Sequence, residues 1–268
     1  MNILLYVDED PAFAIRNAVA VALVRACGGH VHCLQATSPN ALIASGSFGT
    51  AKMLAERAEE VEHRKRALEA ETRTRMAATG ISWDYRAFDG DVGQCVIEQS
   101  RLVDAIVFSA ERQLSPLNNV IPSAGELLPR VRVPVFAVPA RAGAFTTAGL
   151  VIVAWDGSPQ CAFALHSALE PLRCASSILV LTVEGEKTEI TAEQAAQYLA
   201  HHDLASAIVS VPAADRSMSA ALIEAVEDRR AAYVVMGAYG RGRARELLLG
   251  GVTREMLKSS PVPLLLAH

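Results

Sequence analysis

The sequence has no long apolar run and no excess of basic charge. None of its apolar stretches reaches the roughly 18 to 20 residues that a helix needs to cross a bilayer, so we expect no membrane association. The formal net charge is −4, and nucleic-acid-binding proteins usually carry a basic face, so we expect no binding to DNA or RNA. Because the chain opens directly into a strand-like segment at residues 3–7, we expect a cytoplasmic protein.

The sequence also lacks a paired cysteine motif. Its five cysteines are scattered without Cys-x-x-Cys spacing, and an odd number fits reduced thiols better than a disulfide framework. Two groups contain residues of metal-ligating type: His30, His32 and Cys33 in one, and the adjacent pair His201 and His202 in the other. Neither group has partners at the spacing of a zinc site, so we expect no metal centre at either place.

Two similar halves can be recognised along the chain. An acid follows an apolar run at Asp8 and again at Asp156, 148 positions later (156 − 8). The Val-Pro pair that opens the last strand of each half recurs from Val133 to Val262, only 129 positions later (262 − 133). The second half is therefore a shortened copy of the first. We expect the missing residues in the long charged helix that is predicted over residues 46–76.

Composition and length agree with two domains of α/β class. Hydrophobic residues make up 51% of the chain and charged residues 20%, a balance typical of globular proteins. The 268 residues are long for one compact domain and sufficient for two. We predict two tandem, doubly wound, five-stranded parallel-sheet domains at residues 1–140 and 149–268. Residues 141–148 are small, polar and without period, which suits a linker.

A glycine-rich stretch near the end of the chain is the strongest candidate for a binding site. The apolar run at residues 232–236 predicts a buried strand, which is followed by Gly237 and Gly240. After nine intervening residues, Gly250 precedes a predicted helix that starts near Thr253. A strand, a glycine loop and a helix N-terminus in this order bring backbone N–H groups around one point, where phosphate is stabilised. The spacing fits neither a P-loop nor the dinucleotide-binding motif.

This Gly-x2-Gly-x9-Gly spacing, with a hydroxyl three residues on, resembles the nucleotide loop of the universal stress proteins. Residues 151–158 resemble the family's first strand with its acid, and residues 260–266 resemble its last strand. The resemblance implies a tandem-type universal stress protein with a Rossmann-like fold, related to the adenine nucleotide alpha hydrolases. In the first half, residues 109–113 lack a glycine pair and residues 123–126 are at best a remnant, so we expect that copy to be degenerate as a nucleotide site.

Where members of this family bind ATP, the acid after the first strand, a backbone group at the end of the second strand and the glycine loop surround the nucleotide. Carried over to this sequence, the resemblance implies a site made of Asp156, Val183, Met236, Gly237, Gly240, Gly250, Gly251 and Thr253. Gly251 departs from the serine or threonine of many ATP-binding members and offers a phosphate only its N–H. Asp156 makes sense beside phosphates as a ligand of Mg²⁺, or as the acceptor of a hydrogen bond from a ribose or base.

Arginines crowd the loop between the two glycine groups, at positions 241, 243 and 245. We include Arg243 in the predicted cofactor site because the guanidinium fork suits phosphate groups. The alternative is a solvated loop in which Glu246 and Glu255 are the partners of these arginines.

Two functions of different classes follow from these patterns. The first is a stress-response or signalling module that binds ATP with Mg²⁺ in its C-terminal domain. The second is an interaction protein of the same fold, whose halves form an intramolecular pseudo-dimer through their last strands; a homodimer is a further option. A weaker third reading is an adenylate-forming or ATP-hydrolysing enzyme. No Ser-His-Asp order, activated cysteine or pair of acids can be assembled around the loop, so we expect no catalytic residue and slow hydrolysis at most.

Overall fold

The computed structural model describes residues 1–39, 51–183, 190–212, 216–239 and 250–268. The first half contains β1 (Asn2–Val7), α1 (Phe13–Cys27), β2 (His30–Thr37), α2 (Ala51–Ala77), β3 (Ser82–Asp89), α3 (Val92–Gln99), β4 (Ala105–Ser109), β5 (Gln113–Ser115), β6 (Asn119–Ile121), α4 (Ala124–Leu127) and β7 (Val135–Val138). Short 3-10 turns follow α3 at Ser100–Leu102 and α4 at Leu128–Arg130.

The second half repeats this alternation of strands and helices. It contains β8 (Leu150–Ala154), α5 (Pro159–Ser167), α6 (Leu169–Leu172), β9 (Ser177–Val183), α7 (Ala192–Ala200), β10 (Ser206–Val211), α8 (Met218–Arg229), β11 (Tyr233–Gly237), α9 (Gly251–Ser259) and β12 (Leu264–Ala267). None of the helices in the described ranges combines the length and hydropathy that a membrane span requires.

Ten strands form one sheet in the order β10-β9-β8-β11-β12-β7-β4-β1-β2-β3. Within each half all neighbouring strands are parallel, and the first strand of the half lies between its second and fourth strands. This is the arrangement of a doubly wound sheet, whose switch point lies between the first and fourth strands. The predicted fold class, with five parallel strands from each half, is therefore confirmed.

Helices cover both faces of the sheet, so the central strands are buried on both sides. β1, β4, β7, β8, β11 and β12 consist mainly of fully buried aliphatic residues, as expected for a parallel sheet covered by helices. One face packs mainly against α1, α2, α5 and α7, and the other packs against α3, α4, α8 and α9. Each of the two resulting cores runs through both halves of the chain.

The halves meet where β7 and β12 pair antiparallel. Leu264 lies opposite Ala137, and Leu266 lies opposite Val135, all fully buried. An unpaired strand edge exposes a row of N–H and C=O groups that must be satisfied elsewhere. The pairing satisfies these groups on the last strand of each half and makes one continuous sheet.

The difference in length between the halves lies mainly in one helix. α2 has 27 residues, whereas α7, at the same place in the second half, has nine. Only one stripe of α2 is buried, consisting of Val61, Leu68, Thr72 and Met76. Ion pairs one turn apart cover the exposed face, as between Arg66 and Glu62. The predicted start of this helix, at residue 46, lies outside the described residues.

Three local features differ from the sequence-based expectations. The short hairpin of β5 and β6 was not expected, because its three-residue strands are too short to show a pattern. The acids and proline at residues 8–11 predict an acidic cap for α1, but its N-cap is Ala12, and Asp10 instead accepts the Ala12 N–H through Oδ1 at 2.7 Å. α9 begins at Gly251, two residues earlier than expected.

Candidate functional site

A cleft opens in the second half where β8, β9 and β11 end. It has a volume of about 160 Å³ and is lined by Ala154, Trp155, Asp156, Cys161, Leu181, Val183, Met218, Leu222, Met236, Gly237, Gly250, Gly251, Val252 and Thr253. The carboxyl ends of parallel strands at a switch point are where doubly wound sheets bind ligands. The cleft brings together seven of the nine residues of the predicted site. The other two, Gly240 and Arg243, lie outside the described residues.

Asp156 is held at the end of β8 by the start of the next helix. Its Oδ1 accepts the N–H of Ser158 at 2.9 Å, and Ser158 in turn caps α5 by accepting the Cys161 N–H at 3.2 Å. The carboxylate is half-buried at the wall of the cleft. Local hydrogen bonds therefore fix the position of this acid, which is needed if it is to orient a cation or a hydroxyl group.

Cys161 is the one thiol that lines the cleft in the described part of the chain. Burial, the larger cause, and the charge of the nearby Asp156 carboxylate together raise the pKa of this thiol to about 12. The Sγ–H donates to the Ala154 carbonyl at 3.4 Å. A nucleophilic cysteine needs a lowered pKa, so Cys161 is a protonated packing residue at neutral pH and not an activated nucleophile.

Gly237 is required by packing inside the protein. A Cβ at this position would lie 2.5 Å from the Cys161 nitrogen and 2.7 Å from the Gln160 carbonyl carbon. Both contacts are with the backbone of the first turn of α5, which cannot move aside as a side chain would. The sequence pattern associated this glycine with ligand binding. The close contact between the end of β11 and α5 is by itself a sufficient reason for a glycine at this position.

Packing inside the protein does not require the glycines at positions 250 and 251. A Cβ at either position would meet no described atom within 4 Å, and neither glycine has a left-handed backbone. Gly250 is the N-cap of α9 without any side-chain cap, and the first N–H bonded inside the helix is that of Arg254, to the Gly250 carbonyl at 2.9 Å. The N–H groups of the first helical turn therefore face the cleft without a partner from their own helix. Together with the helix dipole they favour an anion.

Several lining residues were not anticipated. Met218 and Leu222 come from α8 and form an apolar wall with Val183. They lie four residues apart and so occupy one face of the helix, a spacing that could have indicated them. Trp155 also lines the cleft, and its indole N–H donates to the Ile190 carbonyl at 3.0 Å.

Tyr239 turns away from the cleft and towards the first half. Its backbone is left-handed, with φ of 61°, and its hydroxyl donates to the Gly125 carbonyl in α4. The ring packs against His268, with 4.9 Å between centroids. These contacts join the end of β11 to the first half of the chain.

The corresponding edge of the first half is occupied by a buried ion pair. Asp8 follows β1 as Asp156 follows β8, and the fully buried Arg16 guanidinium donates to its carboxylate. Arg16 also donates to Ser109 Oγ at 2.6 Å. Burial raises the pKa of Asp8, and the charge of Arg16 opposes this effect. Ser109 corresponds in strand register to Gly237.

The hairpin of β5 and β6 covers the same edge. The side-chain amide of Asn118, in its turn, donates to the Ala36 carbonyl at 2.9 Å and to the Tyr6 hydroxyl at 3.1 Å. By strand register Ala36 corresponds to Val183, at the end of the second strand. The carbonyl at this position is therefore bonded within the protein in the first half, where the hairpin and Arg16 fill the crevice.

Comparisons with known proteins agree with this geometry. The model of the universal stress protein family matches residues 149–268. A universal stress protein from Archaeoglobus fulgidus DSM 4304 is similar in structure with a TM-score of 0.73 and 16% identity, over 99% of this chain and 95% of that protein. A putative universal stress protein from Pseudomonas aeruginosa UCBPP-PA14 has a TM-score of 0.57 and 15% identity, over 99% and 92%.

No sequence among the curated proteins is significantly similar to this chain. The two structural likenesses are at low identity and concern the fold of the whole chain, whereas the family match concerns its second half. Residues 149–268 therefore match the universal stress protein family, and the structural likeness over the whole chain shows that the first half shares the fold.

Proposed function

We propose that the cleft of the second half binds ATP together with Mg²⁺, and that the chain acts as a stress-response or signalling module. The match of residues 149–268 to the universal stress protein family supports the stress-response role. The observation that carries the nucleotide proposal is the convergence of an uncapped helix N-terminus, two unobstructed glycines and an acid on one cleft at the sheet's switch point.

The two ends of the cleft differ in chemistry, as the two ends of a nucleotide do. Val183, Met218 and Leu222 offer an apolar surface for a base. The first turn of α9, with Gly250 and Gly251, offers backbone N–H groups for phosphates. Asp156, on the wall of the same cleft, would hold Mg²⁺, whose usual ligands are carboxylates, phosphate oxygens and water. Mg²⁺ would offset the repulsion between this acid and the phosphates.

The cleft supports binding better than catalysis. Its described lining contains no histidine, and its only thiol there, Cys161, is held protonated. General acid–base or nucleophilic catalysis needs a group whose pKa suits proton transfer near neutral pH. We therefore propose that ATP hydrolysis is slow at most.

The alternative is an interaction protein that binds no nucleotide. It is favoured by the first half, where Arg16 and Asn118 fill the crevice and the fold is retained without a ligand site. In either case we propose that the halves act as a dimer within one chain, because β7 and β12 already occupy each other's edges. A cytoplasmic location, reduced cysteines and no nucleic-acid partner complete the proposal.

Calorimetry with ATP and Mg²⁺ tests the nucleotide proposal. Asp156→Asn is the informative variant, because the amide oxygen keeps the bond from the Ser158 N–H while the charge is lost. We expect wild-type binding that weakens at least fivefold in this variant and depends less on Mg²⁺. Glu193→Gln, an exposed acid in the first turn of α7, is the matched control and should bind as the wild type does.

Mass spectrometry of the purified protein gives a second readout, since a retained nucleotide would appear as a bound mass. If the wild type binds no ATP and carries no nucleotide, the nucleotide proposal is wrong and the interaction protein is favoured. If Asp156→Asn binds as the wild type does, with the same Mg²⁺ dependence, the role of Asp156 is wrong.

A further inference from the structure

Two histidines and an aspartate form a cluster on one face of the sheet, far from the cleft. Side chains two residues apart on a strand point to the same face, so His30 and His32 of β2 lie side by side. β3 runs parallel to β2, with Ser82 opposite His30 and Asp84 opposite His32. Along the sequence, neither histidine has a further ligand at the spacing of a zinc site, so no metal centre was expected there. The pairing of β2 with β3 supplies a third ligand.

The distances within the cluster are those of ligands around one ion. His32 Nδ1 lies 3.0 Å from one Asp84 oxygen, and His30 Nε2 lies 3.7 Å from the other. The three ligand atoms all lie within 4.8 Å of one another. Tetrahedral zinc with bonds of about 2.0 to 2.1 Å places its ligand atoms about 3.3 Å apart. Small side-chain rotations would therefore close the site.

His30 is arranged as a metal-binding histidine usually is. Its Nδ1 is hydrogen-bonded to Ser82 Oγ at 2.7 Å, which fixes the orientation of the ring. Its Nε2 is shielded from solvent and has no hydrogen-bond partner among the described residues. Metal-bound histidines commonly bond a polar group through one ring nitrogen and the metal through the other. A cation between Nε2 and the Asp84 carboxylate would give Nε2 the partner that it lacks.

We propose that His30, His32 and Asp84 bind a zinc-like divalent transition-metal ion. Imidazole and carboxylate ligands suit such ions. Three protein ligands leave a fourth position for water or another ligand, and this site has no part in the proposed nucleotide cleft. In the described ranges no other group of three such side chains comes as close together.

The surroundings allow an ion to enter. His32 and Arg86 border a cavity of about 260 Å³ between the sheet and the 3-10 turn at Ser100–Leu102. Arg86 donates to Asp84 Oδ2 at 2.9 Å and thus occupies one of the oxygens that the ion would use. Because about half of the Arg86 side chain is exposed, it can turn into solvent when the ion binds. Arg86 is therefore a competitor for the site.

Zinc titration of the untagged full chain, without nucleotide, tests the proposal. Calorimetry, or competition with a chromophoric chelator, should give one Zn²⁺ per chain. His32→Gln and Asp84→Asn should each weaken binding at least tenfold, and Ser82→Ala should weaken it about tenfold or more by releasing His30. Arg86→Met should bind Zn²⁺ as tightly as the wild type or tighter, because a competing cation is removed.

The double variant His201→Gln and His202→Gln is the matched control, since these histidines lie in the other half and have no third ligand among the residues that the structure describes. This double variant, and Asp156→Asn in the cleft, should bind Zn²⁺ as the wild type does. Co²⁺ absorption in the visible range gives an independent readout, expected with the wild type and lost with His30→Gln. Zinc binding that vanishes in the His201 and His202 double variant but persists in His32→Gln would overturn the proposal, as would a wild type that binds no zinc. Circular dichroism of each variant confirms that the fold is retained.

Discussion

Replacing Gly237 by alanine should destabilise the second half, because β11 touches the backbone of α5 at this point. The added Cβ would lie 2.5 Å from the Cys161 nitrogen and 2.7 Å from the Gln160 carbonyl carbon. Overpacking of this kind costs about 1 to 3 kcal/mol, and contact with backbone puts the cost in the upper part of that range. Alanine also reduces the conformational freedom of the unfolded chain, which offsets about 0.4 to 1 kcal/mol of this cost. We expect a net loss of about 1 to 2.5 kcal/mol.

Gly251→Ala is the matched control, because its Cβ meets no described atom within 4 Å and lies in the first turn of α9. It should be neutral or stabilising by up to about 1 kcal/mol, since alanine favours a helix and restricts the unfolded chain. The chain has one tryptophan in each half, Trp83 and Trp155. Urea denaturation in a Trp83→Phe background therefore follows the second half alone through Trp155 fluorescence.

The same substitution should also disturb the cleft, which Gly237 itself lines. A shift in the first turn of α5 would move Ser158, whose N–H holds the Asp156 carboxylate. We therefore expect that Gly237→Ala binds ATP more weakly than the wild type in calorimetry, even under conditions where the variant is folded. If Gly237→Ala and Gly251→Ala have the same free energy of unfolding, the close approach of β11 to α5 is not a constraint and the packing argument is refuted.

Three further predictions concern other parts of the chain. Gly251→Ser should bind ATP about two- to tenfold more tightly than Gly251→Ala in calorimetry, because a hydroxyl contact with a phosphate contributes about 0.5 to 1.5 kcal/mol; equal affinities would count against a phosphate at this position. Arg16→Met should lower the free energy of unfolding, measured by urea denaturation, by about 3 to 5 kcal/mol, because it leaves the buried Asp8 carboxylate without its partner. Adding Asp8→Asn to this variant should recover part of the loss, and a change below about 1 kcal/mol would contradict a buried ion pair. Diamide should oxidise Cys27 and Cys174, whose sulfurs lie 3.9 Å apart across the two halves, to a disulfide that makes the chain migrate faster in non-reducing electrophoresis; Cys174→Ser should not show this change. The reaction should be faster at pH 9 than at pH 7, because burial raises the pKa of Cys27 and leaves little thiolate at pH 7.

Features that depend on local chemistry were predictable from the sequence. Ser158, which precedes a proline, and Thr191 are residue types that predict helix starts, and both accept the N–H three residues on, as N-caps of α5 and α7. The second strand of this half was expected to end at Val183, where β9 ends. The seven predicted site residues that are described meet at one cleft, because the carboxyl ends of β8, β9 and β11 fall on the same edge of the sheet.

Features that depend on contacts between distant segments could not be predicted from the sequence. Asp84 joins His32 only because β3 pairs with β2 in one register, across 52 positions of sequence. The hairpin at residues 113–121 is held by Asn118, whose partner Ala36 is 82 positions away. Gly237 was attributed to ligand binding, because its contact with α5 exists only after folding.

The contrast between the two crevices comes down to a few side chains at equivalent places in one fold. Eight positions after the acid stands Arg16 in the first half and Ala164 in the second (16 − 8 and 164 − 156), and Ala164 is too small and apolar to reach a carboxylate. In the first half, the Arg16 side chain supplies positive charge next to Asp8 and fills the space that an external ligand would need. The Asn118 amide donates to the carbonyl of Ala36 at the end of β2. The first half thus occupies its own switch point with internal groups. A carboxylate and an uncapped helix end at the corresponding place in the second half have opposite preferences in charge, and a metal–phosphate ligand is the kind of molecule that meets both at once.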